Sequence, residues 1–116
     1  HIDRSTMLID SIVYLVQKFG NPMKGLHRPN GYRPKDIALS IGELCTWYRK
    51  HLGSSLQTHA ADLGFDSPNS MIKALWTRSV RDEQGVEYWK DDADKLWMVA
   101  RMSRLHGHRL ASRRVL

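Results

Sequence analysis

Trp47-Tyr-Arg-Lys-His-Leu-Gly-Ser-Ser-Leu-Gln-Thr-His-Ala-Ala-Asp-Leu-Gly-Phe-Asp-Ser-Pro-Asn-Ser-Met-Ile-Lys-Ala-Leu75 is the stretch that decides the fold. It reads as a helix closed by Gly53, a short helical turn near Gln57–Asp62, a reversal at Leu63-Gly64-Phe65 and a further helix. Glycine at 64 permits a sharp turn that a residue with a Cβ resists, and Phe65 follows as a core plug. Ser67 is placed to cap the next helix. Pro68 takes its first position, where a missing N–H costs nothing. Met71, Ile72 and Leu75 then form an inner face, with Lys73 and Arg78 left toward solvent.

Upstream, Ser40-Ile-Gly-Glu43 is a capping-box pattern that opens a helix running to about Leu52. Ile41, Leu44, Cys45, Tyr48 and Leu52 share one face of it. Trp47, Arg49 and Lys50 point elsewhere, and an outward tryptophan among cations marks a contact surface. A first helix is predicted from an N-cap at Ser5 to about Phe19. Leu8, Ile12, Leu15, Val16 and Phe19 form its buried stripe, and Gly20 ends it. Residues 20–39 read as a basic Pro/Gly loop insertion, which carries Lys24, Arg28, Arg33 and Lys35. Loops of that length are functional or disordered.

Downstream, Thr77–Val80 and Val86–Trp89 are strand candidates about a polar turn ending at Gly85. Asp91, Asp92 and Asp94 sit where a helix N-terminus favours negative charge. A last helix is predicted over 93–106, with Leu96, Val99, Met102 and Leu105 along one stripe. The expected class is mainly α: a winged helix-turn-helix of three or four helices plus a β-hairpin, with an added C-terminal helix.

The 116 residues fit one domain, 1–116, whose 93–116 segment is a helical extension with a basic tail. The net charge of +6 is unevenly spread. Residues 80–94 hold two basic and six acidic residues, whereas 95–116 hold six basic and none acidic. Such a basic excess suits nucleic acid or an acidic protein surface as partner. A single cysteine, Cys45, excludes an internal disulfide and reads as a buried structural thiol. No apolar run approaches the ~20 residues that span a bilayer. The expectation is a soluble intracellular domain cut from a longer protein.

Catalytic signatures are absent: there is no HExxH, CxxC, Walker-type loop or GxSxG. His106 and His108 flank a glycine but lack a nearby cysteine to complete a metal site. The reading is therefore a binding module with no enzyme activity and no cofactor.

The order of residues resembles the LOTUS family, also called OST-HTH domains, which are winged-helix modules of germline RNP proteins. The residues that carry the likeness are Tyr48 to Gly53, Leu63-Gly64-Phe65, Ser67, Met71 to Leu75 and the segment Val80 to Trp89. The likeness spans roughly 5–90 and is concentrated in 44–89. Two departures are the long Pro/Gly loop and a first wing strand whose apolar run is reduced to Val80.

The resemblance implies binding to the C-terminal RecA-like lobe of a Vasa-type DEAD-box RNA helicase, in cytoplasmic or perinuclear germ granules. The segment 93–106 makes the chain similar to extended members of the family. On that reading the partner face combines Trp47, Arg49 and Lys50 with Trp97, Arg101, Arg104 and Leu105. The alternative implied is RNA binding, including G-rich RNA, through Lys24, Arg28, Arg33, Lys73, Arg109, Arg113 and Arg114. The family also admits a homodimer through the wing.

Overall fold

The computed structural model describes residues 3–23 and 31–102. Helix α1 (Arg4–Phe19) starts earlier than a Ser5 cap would allow, because the Asp3 carboxylate accepts the Thr6 N–H at 2.8 Å. Leu8, Ile12, Val13, Leu15 and Val16 are buried along it. Gly20 follows, its N–H bonded to the Val16 carbonyl. A Cβ there would fall 2.5 Å from that carbonyl oxygen and 3.1 Å from Ile37 Cβ, so the chain turns at a point where only glycine fits.

Residues 20–39 are not wholly loop. Strand β1 (Asn21–Pro22) pairs antiparallel with β2 (Ile37–Ser40), and Met23 is fully buried. Pro22 is compatible with this because β1 lies at a sheet edge. Ser40 then opens α2 (Ile41–Leu52) with both halves of the expected capping box formed. Gly53 closes the helix at φ 75°. Helices α3 (Leu56–Asp62) and α4 (Pro68–Leu75) follow, separated by the reversal at Gly64, whose φ is 89°. Ser67 and Ser70 cap α4 reciprocally, with Pro68 in its first turn.

Thr77–Val80 is not a strand. The Thr77 hydroxyl accepts the Val80 N–H and caps α5 (Arg78–Gln84), which Gly85 ends at φ 69°. The hairpin lies one step later, between β3 (Val86–Lys90) and β4 (Leu96–Ala100). This also replaces the helix expected from residue 93. Asp91 Oδ1 accepts the N–H groups of Ala93 and Lys95, so the acidic cluster builds a hairpin turn instead of a helix start. Asp94 takes a left-handed φ of 66° in that turn. The expected remainder, 103–106, lies outside the described residues.

The sheet is antiparallel throughout, in the order β1-β2-β4-β3, with β4 paired to β2 on one side and to β3 on the other. Alternation along β4 explains why a helical stripe was misleading. Leu96, Met98 and Ala100 enter the main core with the helices, whereas Val99 and Trp97 belong to a second cluster on the opposite face. Among the described residues the architecture is thus an α/β fold of five helices and a four-stranded antiparallel sheet, which the expected mainly α class fits only roughly.

Candidate interaction surface

Two surfaces gather the side chains singled out in the sequence, one on each side of the sheet. The first is the corner where the end of α1 meets α2. Phe19 and Trp47 stack face to face, with ring centroids 4.0 Å apart and planes inclined by 7°. His51, one turn beyond Trp47, lies 4.6 Å from Phe19 and 5.4 Å from Trp47. Lys50 Nζ stands 5.3 Å from the Trp47 ring centre, and Lys18 Nζ 5.6 Å from that of Phe19. The helical spacing of 47, 50 and 51 brings these groups to one side of α2.

Trp47 and Phe19 are half-buried, while Arg49, Lys50 and His51 are exposed. A shallow groove of about 420 Å³ runs alongside, lined by Cys45, Thr46, Arg49 and Lys50. Cys45 is half-buried, and burial pushes its thiol pKa up, away from a reactive thiolate. The corner can therefore offer aromatic area held rigid by stacking, with movable cations at its rim.

Trp97 and Arg101 are not part of that corner. Trp97 lies on β4 and joins the cluster of Met23, Ala38 and Val99 on the other side of the sheet, with Tyr32 and Trp89. Its indole N–H donates to Asp91 Oδ2 at 2.9 Å, and Lys95 Nζ sits 5.0 Å from its ring centre. Arg101 is engaged by its own protein. Its Nε donates to Glu87 Oε1 at 3.1 Å and Nη1 to the Gly31 carbonyl at 3.0 Å, while the guanidinium lies 4.4 Å over the Tyr32 ring. Glu87 also accepts the Tyr32 hydroxyl at 2.7 Å. Substituting Arg101 would consequently disturb this network, whatever it did to a partner.

The expected seven-residue partner face is therefore divided. Trp47 and Lys50 lie together at the corner, Arg49 lines the adjoining groove with Lys50, Trp97 and Arg101 lie across the sheet, and Arg104 and Leu105 fall outside the described residues. Of the nucleic-acid set, Arg33, in the stretch before β2, and Lys73, on α4, are both exposed. Lys24, Arg28, Arg109, Arg113 and Arg114 lie outside the described residues.

Sequence reading places Phe19 in the buried stripe and misses its stack on Trp47. It also misses the Tyr32–Glu87–Arg101 cluster, whose members are far apart in the chain and carry no local signal. A third feature, the groove beside α5, stays hidden while Thr77–Val80 is read as a strand. Among the described residues, no three His, Cys, Asp or Glu side chains gather in a way that could hold a metal ion. No described helix is long and apolar enough to cross a membrane. No family model, curated protein or solved structure matches the chain.

Proposed function

We propose that this chain is a non-enzymatic interaction module of the LOTUS type that docks on the C-terminal RecA-like lobe of a Vasa-type DEAD-box RNA helicase in a germ-granule RNP. In this reading α2, α3 and α4 form the helix-turn-helix, and β3 with β4 forms the wing. The antiparallel order β2-β4-β3 and the reversal at Leu63-Gly64-Phe65 support it.

The observation that carries the docking surface is the flat Phe19–Trp47 stack with Lys50 beside it and Arg49 in the adjoining groove. A preordered aromatic ring loses little freedom on binding, and Trp and Arg are enriched among residues that dominate interfaces. The docking surface is accordingly narrowed to the α1–α2 corner, without Trp97 and Arg101.

Calorimetric titration of the isolated helicase lobe tests this. Arg49→Glu with Lys50→Glu changes only exposed side chains and should weaken binding about tenfold or more, the loss of about 1.4 kcal/mol or more. Trp47→Ala should weaken it further. Unchanged affinity in the charge-reversed protein, with an unaltered circular dichroism spectrum, would falsify this docking surface.

RNA binding is the second reading, favoured by the rings of Tyr32, Trp89 and Trp97 on one sheet face, near Lys95. Aromatic platforms beside cations stack unpaired bases, and such binding falls with salt. A titration with single-stranded RNA at two salt concentrations separates the readings: helicase binding through the corner should be insensitive to Trp89→Ala, whereas RNA binding should not.

A further inference from the structure

We propose that the free edge of β3, with the groove beside it, takes an extended acidic peptide as an additional strand. Among the described residues, the sheet order leaves β3 unpaired on its outer side. Two backbone bonds fix which of its peptide groups face outward. Arg101 N–H donates to the Gly85 carbonyl at 3.2 Å, and Asp91 N–H to the Lys95 carbonyl at 2.9 Å. With the observed register, Glu87 and Trp89 therefore bond β4, and Val86, Tyr88 and Lys90 turn their peptide groups to the open side. The Trp76 indole confirms the alternation by donating to the Val86 carbonyl at 2.7 Å. That bond closes one end of the edge. Tyr88, 38% exposed, keeps its outward N–H and C=O without a partner among the described residues.

The occupant's chemistry follows from the groove of about 490 Å³ along this edge, lined by Trp76, Thr77, Arg78, Arg81, Glu87 and Tyr88. Arg78 and Arg81 give it positive charge, whereas Lys90, at the end of the strand, is paired with Asp94 at 3.1 Å. Arg81 meets Asp82 at 3.3 Å, but the two side chains are 40% and 56% exposed and such pairs hold weakly. Glu87 is occupied by Tyr32 and Arg101. Main-chain bonds from an added strand supply attachment, and alternate side chains supply selectivity. Carboxylates at every second position would reach the arginines, which can hold them bidentately. A second copy of this chain fits less well, because it would bring the same cations to both sides of the seam.

The test uses the whole chain and a short fluorescein-labelled peptide of alternating Val and Glu, followed by anisotropy. Saturable binding is expected, weakened about tenfold by Arg78→Glu with Arg81→Glu, the equivalent of about 1.4 kcal/mol. N-methylation of alternate peptide amides should abolish binding while leaving the protein untouched. Trp47→Ala should have no effect. The proposal is overturned if the methylated peptide, or one with Lys in place of Glu, binds as tightly as the original. It is equally overturned if sedimentation shows a dimer that the two arginine reversals dissolve, because the edge then belongs to a second copy.

Discussion

Asp36 is buried, and its two carboxylate oxygens are divided between distant stretches of backbone. Oδ2 accepts the Arg33 N–H at 2.8 Å and Oδ1 the Met102 N–H at 2.9 Å. A buried amide left without an acceptor loses about 1–3 kcal/mol. Asp36→Ala should therefore lower the melting temperature by about 4–8 °C per kcal/mol lost, read by circular dichroism. Asp36→Asn should fall between, since its amide oxygen still serves one donor while its NH2 group opposes the other. Gly53 gives a contrasting case. Its φ is 75°, and a Cβ at that position would meet open space, so Gly53→Ala encounters backbone strain alone. About 1–2 kcal/mol is expected, and less for Asn, which tolerates that backbone region. Gly53 was legible in the sequence because the residue type itself reports the conformation. Asp36 was not, because its second partner lies 66 positions away.

At the scale of elements, the hairpin turn shows both what a sequence states locally and what it leaves to packing. The box Ser40–Glu43 and the serine cap of α4 act within one helical turn, and both are formed as expected. Residues 96–100 are apolar throughout, so a period of two and a stripe at three and four are equally readable there. Pairing on both sides by β2 and β3 decides for the strand. The turn also predicts a pH response. The Trp97 indole, followed by the Lys95 and Ala93 amides, holds the Asp91 carboxyl below its ordinary pKa. The unfolded chain thus binds this proton more tightly than the folded one. Its stabilising effect is complete above the ordinary pKa near 3.8 and fades as pH falls through the lowered value. Asp91→Asn should flatten the acid limb of a stability–pH curve, followed by tryptophan fluorescence in denaturant.

Across the whole molecule, the Tyr32–Glu87–Arg101 cluster ties the segment before β2 to the ends of β3 and β4. Burial, then the bond to Glu87, pushes the Tyr32 hydroxyl pKa well above the usual tyrosine value. A raised pKa means that the stabilisation is present below the unfolded value and is lost as pH rises through the folded one. Tyr32 should therefore ionise only well above the usual tyrosine range in an ultraviolet titration, and Tyr32→Phe should remove that late step. Tyr32→Phe and Arg101→Met should also be non-additive in stability, by about 0.5–3 kcal/mol in a double-mutant cycle. This tertiary knot is why the division of the expected partner residues between two sides of the sheet could not be read in advance. The Trp47 side follows from helical spacing, whereas the fate of Trp97 and Arg101 depends on which strand lies beside which.

The central position of β4 has a mechanical consequence. A load applied at Met102 along the strand would meet two ladders at once, one to β2 and one to β3, together with the Asp36 clasp on the Met102 amide. Those bonds would have to shear in parallel, because the strand cannot be peeled away one rung at a time. Tension arriving from that direction would be borne by the sheet before it reached the α1–α2 corner.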